Sequence, residues 1–264
     1  MFHHDFFLPK QNNLSQLLLK NRIIVLKKIN STNQYIIDNI PRLKIGDACV
    51  TDHQTQGRGR TGKIWIAPIG QSICLSMYWK LNKTLPTIIK LSIMISIVVA
   101  RILKKLGVSH IKIKWPNDLY VNERKLAGIL IETITKAHCT THLIIGIGLN
   151  ISIQTPTQLN SQIGKNWIDL KSIGIIINRN FLTKILVNTL RKKLKDFTLF
   201  DLEPFMTHWK YFDYLYNKSI LLSINNCKII YGIALGINSH GALILKKSEK
   251  IYYFSGGNIS IQII

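Results

Sequence analysis

Three glycines and three cations fall within seven residues, Gly57-Arg58-Gly59-Arg60-Thr61-Gly62-Lys63, inside the stretch Gln54 to Trp65. Glycine backbone reaches positive φ, and the charged side chains between the glycines are all positive. A dry pocket for an anion needs both properties. Gly57, Gly62 and Lys63 satisfy the G-x-x-x-x-G-K of a Walker A loop, but the next position must be Ser or Thr to ligate magnesium and is Ile64. The segment Ile64 to Pro68 also reads as extended chain ended by proline, where a phosphate loop would feed a helix. What remains is a loop with Arg58 and Arg60 on one side of an extended backbone, each able to grip a phosphate or carboxylate through paired donors. A solvated basic turn is the competing reading, and the interleaved glycines argue against it.

A second candidate is Lys114. Ile111-Lys112-Ile113-Lys114-Trp115 alternates with period two, which puts Lys112 and Lys114 on one strand face opposite Ile111, Ile113 and Trp115. Pro116-Asn117-Asp118 then turns the chain into Leu119 to Val121. Taken alone, such a lysine is more often a surface residue, but strand ends are where sites assemble. Ser31-Thr32-Asn33-Gln34 offers hydroxyls and a capping box at a helix N-terminus, a place where backbone N–H groups can meet a polar ligand.

The elements that must hold these groups follow from the hydrophobic pattern. A short helix is expected over Leu14 to Lys20, and strands over Ile23 to Ile29, Asp47 to Asp52 and Ser72 to Trp79. An apolar helix is expected over Leu85 to Leu106, ended by Gly107. Lys125 to Glu132 and Leu143 to Asn150 read as a core hairpin, where Gly128, Gly146 and Gly148 let another group come close. No dinucleotide fingerprint is completed there, since position 151 is Ile. Residues 151 to 166 read as a polar, mobile loop closed by Trp167. A helix from Phe181 to Phe197 carries Phe181, Ile185, Leu186, Leu190, Leu194 and Phe197 on one stripe. After Asn217, Ser219 to Ile224, Cys227 to Ala234, Ala242 to Leu245 and Lys250 to Phe254 are short β-rich runs, as in a small antiparallel barrel.

Composition narrows the class. The chain has 264 residues and is 47% hydrophobic, enough for a sizeable core. Lysine and arginine number 35 against 13 acids, a net charge of +22. The cations are spread along the chain without interleaved aromatics, which favours compositional drift first, an acidic protein partner second and nucleic acid third. Cys49, Cys74, Cys139 and Cys227 stand apart like reduced core thiols, and His138, Cys139 and His142 read as a chance cluster rather than a metal site. Neither a signal peptide nor a membrane span is expected, the longest apolar run being Leu91 to Ala100.

Ser31-Thr32-Asn33-Gln34, the Gly-Arg-Gly-Arg loop, Lys-Trp-Pro-Asn-Asp at 114 to 118, Lys-Leu-Ala-Gly-Ile-Leu at 125 to 130 and Gly-Ile-Gly-Leu-Asn at 146 to 150 together resemble bacterial biotin protein ligase. The order and spacing match over essentially the whole chain. The resemblance implies an α+β fold: a mixed β-sheet flanked by helices, class II synthetase-like, as the catalytic unit over 1–216, with a small SH3-like barrel over 217–264. It implies an enzyme that makes biotinyl-5'-AMP from biotin and ATP, with Mg2+ assisting. The biotinyl group then passes to a lysine of the biotin carboxyl carrier protein of acetyl-CoA carboxylase, an acidic partner, in the cytoplasm.

By motif, the resemblance gives Lys114, Arg58 and Arg60 catalytic roles. It assigns Ser31, Thr32, Asn33, Gln54, Arg58, Gly59, Arg60, Lys114 and Gly128 to biotin, and Arg60, Trp65, Asn117, Lys125, Asn150 and Trp167 to the nucleotide. No metal ligand, specific DNA or membrane partner is implied, and a homodimer is admitted. Only 30 residues precede Ser31, too few for the winged helix of larger members, so a ligase without repressor function is expected. Where the family carries an acidic residue and an arginine near the C-terminus, this chain has Asn258 and Gln262. A lipoate or octanoate transferase shares the resembling fold but would not carry the Gly-Arg-Gly-Arg and Lys-Trp-Pro-Asn-Asp pair. A basic nucleic-acid-binding protein is the alternative from another class.

Overall fold

The computed structural model describes residues 21–81, 88–136, 140–154, 166–225 and 228–264. The expected helix over Leu14 to Lys20 lies outside them, as do Cys139, Cys227, His138 and residues 155–165 of the polar loop. The first seven strands are β1 (Ile23–Ile29), β2 (Ala48–Gln54), β3 (Ser72–Leu81), β4 (Lys112–Lys114), β5 (Asp118–Val121), β6 (Arg124–Lys136) and β7 (Thr140–Asn150). They form one mixed sheet in the order β1-β2-β3-β7-β6-β5-β4. Only β1 and β2 run parallel. Helices α1 (Thr32–Asn39), α2 (Ile88–Lys105), α3 (Arg179–Phe200) and α4 (Glu203–Phe212) flank it.

The alternation of strand side chains decides what each sheet face does. Ile73, Leu75, Met77 and Trp79 of β3, Leu143, Ile145, Ile147 and Leu149 of β7, and Ala127 and Ile129 of β6 join the large core under α2 and α3. α2 is buried along most of its length, which explains its nearly unbroken apolar sequence. On the opposite face, Cys49, Tyr78 and Ile144 pack against Ile36 and Ile40 at α1. Beside the apolar Leu130 and Ile134, that second face carries Cys74, Ser76, Gly128, Glu132, Gly146 and Gly148, which are small or polar. A core does not use such residues.

Several expectations are corrected in detail. Ser31 caps α1 by accepting from Gln34 N at 3.5 Å, but Gln34 bonds Asp38 at 2.6 Å instead of reaching back, so only half of a capping box forms. α3 begins at Arg179 with Asn178 as its cap, and Leu182 meets the core in its first turn. Phe181, one helical step (about 100°) away at the stripe's margin, is 41% exposed. α4 was not legible in the pattern. His142 is buried, and its Nδ1 lies 2.8 Å from the Tyr78 hydroxyl.

The C-terminal strands are β8 (Ser219–Ile224), β9 (Lys228–Ile237), β10 (Leu243–Lys247), β11 (Lys250–Phe254) and β12 (Ile259–Ile263). They form an SH3-like antiparallel sheet in the order β11-β10-β9-β8-β12, without a ladder joining the outer two. β12 is an addition to the sequence reading. The Trp115 indole N–H donates to the Gly241 carbonyl at 3.0 Å, tying this sheet to the Lys114 turn.

Asp47 anchors the start of β2. Its buried carboxylate accepts from the backbone N–H of Arg22 at 2.8 Å and of Lys44 at 3.1 Å, and faces the Arg22 guanidinium at 3.0 Å. Burial alone would push this carboxyl up. The two N–H bonds and the guanidinium outweigh it and hold the group below its ordinary 3.8. A depressed carboxyl contributes stability that is present above the unfolded-state value near ~3.9 and lost as pH falls through the lower folded value. Asp47→Asn is expected to lower Tm at neutral pH by about 5 °C or more, with the difference from the parent closing as pH falls below about 4. Thermal melts across pH check this, and equal Tm values at pH 7 would contradict it.

Candidate active site

The glycine-rich stretch folds back on itself as a flap. Arg58 bridges Ile64, Gly59 N donates to Lys63 O at 2.6 Å, and Trp65 N donates to Gly57 O at 3.0 Å. Thr61 (φ 53) and Gly62 (φ 76) make the reversal. Gly62 alone among the three glycines uses positive φ. Gly57 and Gly59 are needed for close approach, since a Cβ on either would meet the carbonyl of Trp65 or of Lys63.

Beneath the flap is a cavity of ≈ 430 Å³. Its floor is the second face of the sheet, where Cys74 pairs with Gly148 and Gly148 with Gly128 across three strands. Missing side chains make room there: the Trp65 indole lies where a Cβ of Gly148 would be, and the Asn33 amide where that of Gly146 would be. One wall is the N-terminus of α1. The opposite wall carries Lys114, Asn117, Asp118, Tyr120 and Lys125, and residues 258 to 261 border it from the C-terminal sheet.

Every residue that the motifs assign to biotin, namely Ser31, Thr32, Asn33, Gln54, Arg58, Gly59, Arg60, Lys114 and Gly128, borders this cavity. So do Trp65, Asn117 and Lys125. Asn150 and Trp167 do not. Asn150 is buried and donates to the Ile168 carbonyl at 3.0 Å, while Trp167 bridges Lys125 through its backbone. Both brace the segment behind Lys125.

A hydrogen-bonded chain crosses the α1 side. Gln54 Oε1 accepts from Thr32 N (2.8 Å) and Thr32 Oγ1 (3.0 Å), and the Ser76 hydroxyl contacts Thr32 Oγ1 at 2.7 Å and Asn33 Oδ1. Asn33 Nδ2 donates to Glu132 Oε2 at 2.6 Å, and Arg58 Nη2 faces the same oxygen at 3.2 Å. Ser76 and Glu132 were missed from sequence. They look like ordinary strand residues until the register sets Ser76 against Gly146. Thr61, Lys63 and Tyr120 were missed as well, although Lys63 stands in the flap and Tyr120 has the parity of Asp118.

The cavity wall carries five cations, Arg58, Arg60, Lys63, Lys114 and Lys125, against one carboxylate, Asp118. Asp118 is bonded to Lys125 at 2.7 Å. Arg60 donates to Asn117 Oδ1 at 2.9 Å and to the Gly257 carbonyl at 3.1 Å, linking flap, turn and C-terminal sheet. Burial lowers the pKa of Lys114, helped by Lys125 and Lys63 and opposed by Asp118. Burial also lowers that of Arg60, opposed by Asp118, and the guanidinium stays charged at neutral pH. Among the described residues Arg58 Nε and Trp65 Nε1 are buried donors without a hydrogen-bond partner, and Arg58 Nη2 meets Glu132 without hydrogen-bond geometry. Such a wall suits two anions brought together.

Fold and site thus define an α+β protein with a cationic pocket suited to anionic ligands. The pattern of the Biotin/lipoate A/B protein ligase family matches residues 25–150, and that of the biotin protein ligase C terminal domain matches residues 221–261. The bifunctional ligase/repressor BirA of Escherichia coli is 40% identical over 240 residues, covering 91% of this chain and 74% of that protein. Its Salmonella typhimurium counterpart is 41% identical over the same shares. A biotin protein ligase from Aquifex aeolicus, solved in complex with biotin and ATP, superposes with a TM-score of 0.80 at 24% identity, over 92% of this chain and 99% of that one. The chain belongs to the biotin protein ligase family.

Proposed function

We propose that this chain joins biotin to ATP as biotinyl-5'-AMP and transfers the biotinyl group to one lysine of the biotin carboxyl carrier protein of acetyl-CoA carboxylase. The observation that carries the reading is the cavity's five cations around a floor stripped of side chains. Two unit anions ~4 Å apart repel by roughly 4 kcal/mol at an effective dielectric of 20. Arg58, Arg60 and Lys114 offset that repulsion while the biotin carboxylate oxygen attacks the α-phosphorus and pyrophosphate departs. In the second step the carrier's neutral lysine nitrogen attacks the biotinyl carbonyl carbon, AMP leaves with the electron pair of the broken C–O bond, and the nitrogen gives up a proton to solvent.

Biotin takes the α1 side, among Ser31, Thr32, Asn33 and Gln54 over Gly128, with Gly59 in the flap above. The nucleotide takes the side of Arg60, Trp65, Asn117 and Lys125. Asn150 and Trp167 support it from behind by holding the chain next to Lys125. Magnesium would be held mainly by the ATP phosphates, with Asp118, now paired with Lys125 at 2.7 Å, as the wall carboxylate that would have to leave that pair to add a ligand. If bound there, magnesium would supply charge neutralisation on the phosphates. We assign residues 1–216 to the catalytic unit and 217–264 to a C-terminal unit that supplies the wall at 258 to 261. Among the described residues no helix is long and apolar enough to cross a membrane, and we assign the enzyme to the cytoplasm, where its acidic carrier works.

Incubation with biotin, ATP, magnesium and an acidic carrier domain, followed by mass measurement, tests this. The carrier should gain one biotinyl group on one lysine. An unmodified carrier, with no biotin-dependent pyrophosphate exchange, would overturn the reading.

A further inference from the structure

Among the described residues Lys114 makes no ion pair. Asp118, its cross-strand partner in the β4–β5 hairpin, is occupied by Lys125 at 2.7 Å. The Lys114 ammonium lies instead over the ring of Tyr120, 5.5 Å from its centroid. That ring stacks on Tyr214 with centroids 5.3 Å apart and planes 17° from parallel. Lys218 stands over the Tyr214 ring at 3.9 Å, and Tyr214 N donates to the Ile113 carbonyl at 3.0 Å, one residue from Lys114. The two rings form a platform that starts in the cavity wall and ends in the connection between α4 and β8.

We infer that Tyr120 is a positioning residue for Lys114, braced by Tyr214, so that the connection into the C-terminal sheet holds the active-site lysine ready. The inference rests on the adenylation role of Lys114 proposed above. A carboxylate would hold the ammonium more firmly, but it would quench the charge and have to be displaced by each incoming substrate. An aromatic face holds a cation without neutralising it and yields to a phosphate. The other charged groups near Lys114 are Asp118, which favours its charged form, and Lys125 and Lys63, which oppose it.

The test compares Tyr120→Leu, Tyr120→Phe and Tyr214→Leu in the full chain by steady-state biotin-dependent pyrophosphate exchange. Y120L should lower kcat roughly ten-fold with little change in KM for biotin, since ring contacts to cations in partly buried sites carry effects of that size. Y120F should recover most of the lost rate, because it restores the ring. Y214L should fall between them, and the Y120L/Y214L double variant should be no slower than Y120L alone, since both act through one ammonium. A rate for Y120L equal to the parent's, a Y120F as slow as Y120L, or losses in kcat that simply follow Tm would each overturn the inference. A parent enzyme without biotin-dependent exchange would instead sink the functional reading on which it stands.

Discussion

Lys114→Ala is expected to slow biotin-dependent pyrophosphate exchange by about 10²–10³-fold, the usual cost of removing one preorganised charge from where charge develops in a transition state. The argument starts from parity: Lys114 shares its strand with Ile113, which is fully buried in the core, so its own side chain must take the cavity face. Once there, its pKa is lowered by burial, with Lys125 and Lys63 adding to the effect and Asp118 opposing it. An ammonium poised in this way interacts most strongly when carboxylate and α-phosphate have come together, so the loss should appear in kcat with smaller changes in KM. Exchange at the parental rate would remove Lys114 from the chemistry.

Arg60→Gly should produce a different failure. Arg60 reaches across the cavity mouth to Asn117 and to the Gly257 carbonyl, so it closes the flap against two other elements while presenting charge inside. Removing it should leave adenylate formation measurable and speed escape of the intermediate by about 10²-fold, the loss of a charge-assisted anchor and a latch together. Biotin should then appear on exposed lysines of bystander proteins, since a released mixed anhydride acylates any amine it meets. Rapid filtration of enzyme-bound biotinyl-AMP and mass mapping of an unrelated protein in the same tube check both halves. Retention equal to the parent's would contradict the latch.

Much of this site was legible in the sequence because its chemistry is written in residue types that a core would not choose. The alternation at 111 to 115 placed Lys114 on the right face, and glycines inside apolar strands announced close approach at Gly146 and Gly148. The reason offered for the flap glycines needed correction: at Gly57 and Gly59 the demand comes from neighbouring carbonyls, and positive φ is used only at Gly62. Ser76 and Glu132 were illegible, since neither belongs to a motif and only strand register brings them to Asn33 and Arg58. Asn150 and Trp167 are the reverse case. They lie beside motif or loop signals but outside the cavity lining, where Asn150 donates to the Ile168 carbonyl and the Trp167 backbone bridges Lys125.

At the C-terminus, the last strand expected from sequence ends at Phe254, just before Gly256-Gly257. Both glycines adopt positive φ and carry the chain into β12, whose pairing with β8 brings residues 258 to 261 to the cavity. α4 escaped notice for a similar reason. Pro204 near its start and four aromatics in ten residues give weak helix propensity, and burial of Phe205, Trp209 and Phe212 supplies the stability instead. In both places tertiary packing overrode the local signal.

The most direct measurement is a crystal structure of the chain soaked with biotin and ATP. Density for a biotinyl-nucleotide should fill the space between the glycine floor and the flap, with its carboxyl-derived and phosphate oxygens within hydrogen-bond reach of Arg58, Arg60 and Lys114. Clear, well-diffracting crystals in which that space stays empty while those three side chains turn out to bulk water would contradict the account.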